Sequence, residues 1–399
     1  MQMIILIVMA LAVLYFGALY AAPETDKSVA ERADRSGNVR IFRNLLFSIF
    51  IFFALDAAIF HSGLYETILK PDSYAGRVSH AVRQEKQRES SGLKEILLVG
   101  DSRIGRGFSE EIANHTAMAR GIEFVKRAVF GSSPRTWYYL LREIDPSATR
   151  YQAIVLPMQP DSWAGLVDGV RSGGVRDIST IAPLLRYSDA WSFASSFHEW
   201  NNRRRAFCAC ILRGSAFQAD IFDLLVHPLQ RLKELQREPP PPKPGQRERQ
   251  GDDADLVGIT VDPTTKQIKP SAEISKFQRT SVKRRLQTFS TKGLSGDRFE
   301  WTDHILKRYG SSRTAIVIIR LPRSPFGSFN KGEALEDGAN KFLHGDRLIM
   351  LDEHQFEFLE KPEYFVDQVH LNTKGRRLFT ERLSEELVAR VASAETSRD

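Results

Sequence analysis

Two short stretches near opposite ends of the chain hold the residue types of nucleophilic catalysis. The first is Gly100-Asp101-Ser102-Arg103, directly after the apolar run Ile96-Leu97-Leu98-Val99. A serine hydroxyl is a weak nucleophile until a base takes its proton. The second, Asp367-Gln368-Val369-His370-Leu371-Asn372, offers such a base. Histidine is the usual one, and a carboxylate commonly fixes its tautomer and orientation. Asp367 and His370 are three residues apart, so one loop can deliver both to the same side of a turn. Asp352-Glu353-His354 is a rival acid–base pair. Ser102 also has a plainer reading as a helix cap, because Ser and Asp are common caps.

The elements that must carry these residues follow from pattern. Four apolar residues bounded by Gly100 suit a central strand of a parallel sheet. The polar run then leaves the sheet at its carboxyl edge, where open α/β sheets place ligands. Ser102 would stand on a strand-to-helix corner, which exposes a hydroxyl. Further strands are predicted over 124–130, 153–158, 315–321 and 348–351. Helices are predicted over 109–120, 134–144, 221–238, 299–309 and 373–391. Ser109 can cap the first of these, Pro134 suits the first turn of the second, and Leu378, Leu383, Leu387 and Val391 give the last an apolar face. This order predicts an α/β fold, a three-layer α/β/α sandwich with a mainly parallel sheet.

The combination of Gly-Asp-Ser after an early strand and Asp-x-x-His-Leu-Asn before the last helix resembles the SGNH/GDSL hydrolase superfamily. Within it the chain looks most like the membrane-anchored branch that includes the D-alanine-transfer protein of teichoic acid synthesis and proteins of polysaccharide O-acylation. The matching residues are Gly100, Asp101 and Ser102, then Asp367, His370, Leu371, Asn372 and Gly375. The resemblance covers roughly Leu93 to Val391 and favours Asp367 and His370 over Asp352 and His354. It implies a catalytic triad of Ser102, His370 and Asp367, and an oxyanion hole using the N–H groups of Ser102 and Gly131. The superfamily often has Gly-x-Asn-Asp after the third strand, its Asn being a further oxyanion donor. This chain has Gln159-Pro160-Asp161 there. Either Gln159 supplies the amide or the two backbone N–H groups act alone.

The same resemblance implies a serine O-acyltransferase or carbohydrate esterase that works through an acyl-enzyme on Ser102, with no metal and no cofactor. The acceptor would be a cell-envelope or secreted polysaccharide, and acyl groups would arrive from a membrane-bound O-acyltransferase partner. The alternative is a weak or inactive scaffold that binds glycan or organises an envelope complex.

The N-terminal region sets the expected location. Met3–Ala22 is uncharged and long enough to span a bilayer. A cleaved signal peptide is its rival, but no Lys or Arg precedes the run and Pro23 follows it. A linker from Pro23 to Asn44 carries Lys27, Arg32, Arg35, Arg40 and Arg43, and a second apolar run covers Leu45 to Leu64. The positive-inside rule puts that linker in the cytoplasm. The expectation is a two-pass inner-membrane anchor over 1–64, a stalk over 65–92 and a periplasmic domain over 93–391. Asp56 lies inside the second run, where a carboxylate is costly; it can pair with a partner helix or sit near the interface.

A largely helical insertion is expected over 163–313, with a Pro-rich linker at 238–255 that is too polar to pack. The basic segments Arg203-Arg204-Arg205 and Lys283-Arg284-Arg285 read as solvated faces or as contacts to anionic glycan or lipid head groups. A net charge of +7 over 399 residues comes with no nucleic-acid motif, so no nucleic-acid partner is expected. Cys208 and Cys210 are the only cysteines. They exclude a disulfide framework, and without a second ligand pair they carry no metal site.

Overall fold

The computed structural model describes residues 30–158, 173–236, 259–261, 268–270, 300–324, 345, 347–365 and 369–396. The chain divides into two compact units, Met1–Leu55 and Asp56–Asp399.

In the first unit the expected basic linker is helical from Ala30 onward. Helix α1 (Ala30–Asp56) continues as a π turn over Ala57–His61. Arg43–His61 is apolar and long enough to cross a bilayer. Leu45, Phe47, Phe50 and Phe52 are exposed along it, as lipid-facing side chains would be. It is the one such segment among the described residues. Met3–Ala22, read as a first span, lies outside them, so a two-pass anchor is not shown.

The second unit is built on five parallel strands: β1 (Lys94–Gly100), β2 (Ile122–Ala128), β3 (Ala153–Met158), then β6 (Ala315–Arg320) and β7 (Leu348–Met350). Between them in sequence, β4 (Ile259–Val261) and β5 (Ile268–Pro270) make a separate antiparallel pair. The main sheet has the order β2-β1-β3-β6-β7. The strand order reverses beside β1, and such a switch point opens a crevice at the carboxyl ends of the strands. Ser102 follows β1 at that crevice.

Alternation along the strands loads both faces of the sheet. Leu97, Val99, Ile154, Leu156, Ile316 and Ile318 join one core. Ile96, Leu98, Val155, Val317 and Ile319 join the other. The second core is closed by α3 (Ser102–Gly107), α4 (Glu110–Ala117) and α12 (Thr373–Thr396), through Ile104, Ala113, Phe379, Leu383 and Leu387. The three-layer reading therefore holds for the described chain.

The first core corrects one expectation and takes in part of the helical insertion. The region read as a stalk contains α2 (Tyr74–Gln87), capped by Ser73 and packed into that core through Val78, Ala81 and Val82. Glu85 on α2 is fully buried and takes Arg127 at 2.6 Å, Arg150 at 2.6 Å and Arg88 at 3.0 Å. A carboxylate so deeply buried needs such partners, and no solvated stalk could provide them. The 173–236 segment is also part of the layer. After α5 (Pro134–Ile144) come α6 (Gly173–Ile181), α7 (Ala190–Ser195) and α8 (Trp200–Ile211). These bring Ile178, Ile181, Phe193, Phe197, Ala206 and Cys210 against the sheet, together with α11 (Glu300–Tyr309).

The helix predicted over 221–238 is two helices, α9 (Gln218–Val226) and α10 (Pro228–Gln236). Pro228 lacks an N–H and disfavours helical backbone at His227, so the first helix stops there. The Pro-rich 238–255 linker and Lys283-Arg284-Arg285 lie outside the described residues.

Asp56 has its partner within its own chain, at the start of the 3-10 turn Arg213–Phe217. Its carboxylate accepts the Arg213 N–H at 3.0 Å and the Gly214 N–H at 2.9 Å. Cys210 is a buried free thiol pushed up to about 12 by burial, and so is inert as a nucleophile.

Candidate active site

The Ser102 corner is sharp because glycine allows it. A Cβ on Gly100 would lie 2.8 Å from Ile104 Cβ and 3.1 Å from Pro157, so only glycine lets α3 fold back so close to β1 and β3. Asp101 caps α3, accepting the Arg103 N–H at 2.9 Å. The same buried carboxylate holds the Arg103 guanidinium at 2.7–2.9 Å. The cap thus belongs to Asp101, which leaves the Ser102 hydroxyl for another role. That hydroxyl meets His370 Nε2 at 2.9 Å, across 268 residues of sequence.

His370 reaches this position through a tied loop. Phe365 and Leu371 form an antiparallel bridge that closes the loop at its base. Asn372, 7% exposed, fixes it from the helix side. Its N–H donates to Tyr364 O at 2.8 Å, and its side-chain amide donates to Glu363 O at 2.7 Å. Its side-chain oxygen accepts the Gly375 N–H at 2.9 Å. Gly375 is needed here because a Cβ would lie 2.5 Å from Tyr364 O. Two of the motif's outer residues therefore clamp the loop that presents the histidine. Asp367 lies outside the described residues, as does Gln159.

Gly131 comes to the same corner on the loop after β2. Gly100 O accepts the Val129 N–H at 2.9 Å and the Ser132 hydroxyl at 3.2 Å, and Trp137 Nε1 donates to Ser132 Oγ at 2.8 Å. Gly131 has φ +75°, and a Cβ there would lie 2.9 Å from the Tyr74 ring. Among the described residues, the N–H groups of Ser102 and Gly131 have no backbone hydrogen-bond partner.

The rival histidine is elsewhere. His354 is 63% exposed on its side chain, and its Nδ1 sits 2.8 Å from Glu357 Oε1. Glu357 raises its pKa by hydrogen bonding and charge.

Compared with models of known families and with curated proteins, the sequence matches none. The site therefore stands on its own geometry.

Two features were not evident in the sequence. Tyr74, in the expected stalk, borders Gly131; the signal was Pro71-Asp72-Ser73, a helix start. The rim is also cationic. Arg77 and Arg106 both lie 5.7 Å from the Phe130 ring centroid, and Arg176 lies 5.3 Å from that of Tyr74. Among the described residues none of the three pairs with a carboxylate. Arg106 follows Ser102 by four positions on α3, so it shares its helix face. Behind this rim, buried Asp177 takes Arg135 at 2.8 Å and the Ser133 hydroxyl at 3.0 Å. Burial raises its pKa.

Proposed function

We propose that the protein is a membrane-anchored serine acyltransferase or esterase of the SGNH/GDSL type, acting on O-acyl groups of a polysaccharide outside the cytoplasm. The observation that carries this reading is the 2.9 Å contact between Ser102 Oγ and His370 Nε2. Contacts of this length are what a general base needs to take a hydroxyl proton.

In the first half-reaction Ser102 Oγ attacks the carbonyl carbon of an acyl ester or thioester while His370 Nε2 takes the hydroxyl proton. The oxyanion rests on the Ser102 and Gly131 N–H groups, with Gln159 a further donor. Collapse breaks the bond to the leaving group, which departs with the proton from His370, and the acyl group stays on Ser102. In the second half His370 takes a proton from a sugar hydroxyl or from water. That oxygen attacks the acyl carbon, and Ser102 leaves with its proton restored. Asp367, three residues before His370, orients the imidazole. Each oxyanion donor is worth about a hundredfold or more in rate.

Arg77, Arg106 and Arg176, which pair with no carboxylate among the described residues, support an anionic acceptor, since guanidinium groups recognise carboxylate and phosphate well. A membrane-bound O-acyltransferase is the proposed acyl donor, and the inner membrane with the second unit periplasmic is the proposed location. The test is to incubate the purified chain with p-nitrophenyl acetate and read the intact mass and peptide map. An acetyl group on Ser102 that transfers to an added oligosaccharide or to water supports the reading. Acetylation spread over lysines alone, with Ser102 unmodified, contradicts it.

A further inference from the structure

Asp56–His61, where the apolar segment ends, packs on the 187–229 helices within the second unit. Asp56, Phe60 and His61 are the last polar and aromatic residues of Arg43–His61. Each is held by the helical region that follows α6. Asp56 accepts the N–H groups of Arg213 and Gly214. The Phe60 ring stacks on Phe217 at 5.9 Å, and its carbonyl accepts Arg213 Nη1 at 3.1 Å. The His61 ring lies flat on Tyr187, 4.1 Å away with 7° between the planes. Residues 187 and 213–217 therefore pack on Asp56, Phe60 and His61 within the second unit.

The outer sides of the neighbouring helices are strongly apolar. Trp191 on α7 is 78% exposed, Trp200 on α8 is 74% exposed and Leu229 on α10 is 73% exposed. Phe207, Phe222, Leu225 and Val226 are exposed as well. On α8 the spacing puts Trp200, Arg203, Arg204 and Phe207 on one helical face, and Arg203, Arg204 and Arg205 are all exposed. A protein surface in water seldom carries so much exposed aromatic and aliphatic surface. Trp and Phe beside clustered arginines are what an interfacial helix uses: rings enter the boundary of the acyl chains and guanidinium groups meet anionic head groups.

We propose that α7 to α10 form a platform embedded in the interfacial layer of the bilayer, seated there beside the exit point of the Arg43–His61 span. The occupant of the apolar surface is lipid, and the arginines select anionic head groups. The platform is independent of the chemistry at Ser102. Its consequence is positional: the second unit is held against the membrane by a broad contact rather than by one helix.

The experiment uses the full chain in nanodiscs containing phosphatidylglycerol, with and without brominated acyl chains. Of the five tryptophans, Trp137 and Trp301 are buried in the core and serve as internal references. The parent protein is compared with the Trp191→Phe/Trp200→Phe double variant. The expected result is strong quenching of the parent that falls to near the reference level in the double variant, and weaker quenching when phosphatidylglycerol is replaced by phosphatidylcholine. A second arm places a tryptophan at Phe222 in that double variant, and it too should be quenched. Equal quenching in the parent and the double variant, with none gained at Phe222, would overturn the proposal and leave a protein partner as the cover for this surface.

Discussion

Two loops near the end of the chain each hold an acid and a histidine, and they have opposite fates. The loop after β7 holds Asp352 and His354 in a self-contained charge network. His354 pairs with Glu357, and Arg323 makes a forked contact to Glu360 at 2.9 Å on each side. Buried Arg320 lies between Glu353, Glu357 and Glu360. The loop before α12 is instead tied by backbone to its own helix through Asn372, and it points its histidine at a distant serine. At that site Arg77, Arg106 and Arg176 have no carboxylate partner among the described residues. By residue type the two loops are equivalent. What separates them is whether local charges are already satisfied, or whether a backbone clamp holds the imidazole toward the switch point of the sheet.

The largest expected difference is between the histidines themselves. His370→Ala should slow covalent modification of Ser102 by about four orders of magnitude or more, by analogy with loss of a triad base. His354→Ala should leave the rate within about twofold, as an exposed substitution. Labelling rates with an activated ester check both.

Asn372→Ala tests the clamp. It removes the side-chain bonds to Glu363 O and Gly375 N–H, and should lower stability by about 1–3 kcal/mol. Denaturant titration reads that loss. If the clamp positions His370, modification of Ser102 should also fall, by roughly a hundredfold for a displacement near 1 Å. A stability loss with an unchanged rate would reduce Asn372 to a helix cap.

Arg106→Gln probes the contrast in charge. It should weaken binding of a uronic-acid oligosaccharide several-fold, leave a neutral oligosaccharide unaffected and reduce the salt dependence, measured by calorimetry on the Ser102→Ala protein. Arg323→Gln, whose charge is already paired, should change none of these.

The smallest effect is a titration. His354 should titrate above its ordinary 6.5 in an NMR experiment, and Glu357→Gln should remove the rise. A raised histidine pKa contributes stability that is full below the unfolded value and fades as pH climbs through the folded one. For so exposed a pair the contribution is slight.

The sheet and the corner at Ser102 were legible because they rest on local signals. Unbroken apolar runs such as Ile96–Val99 mark strands buried on both faces, and Gly100 marks the turn. Pro134 and Ser109 marked helix starts for the same reason. The 65–92 region reads as a stalk because it is polar and charged. Its Glu85 meets Arg127 and Arg150 only in three dimensions. Pro228 is a local breaker inside a run whose apolar period continues past it, so the period alone predicts one helix. At the site, Ser102 and His370 were legible by type and motif. The cationic rim was not, because Arg77, Arg106 and Arg176 come from three separate helices and share only the edge around Phe130 and Tyr74.

The central claim is that His370 activates Ser102. The most direct test is to treat the full chain in detergent with a fluorophosphonate and map the adduct by mass spectrometry. The account predicts one adduct, on Ser102, that is lost in His370→Ala and kept in His354→Ala. A folded protein that takes no adduct on Ser102, or takes it equally well without His370, would contradict it.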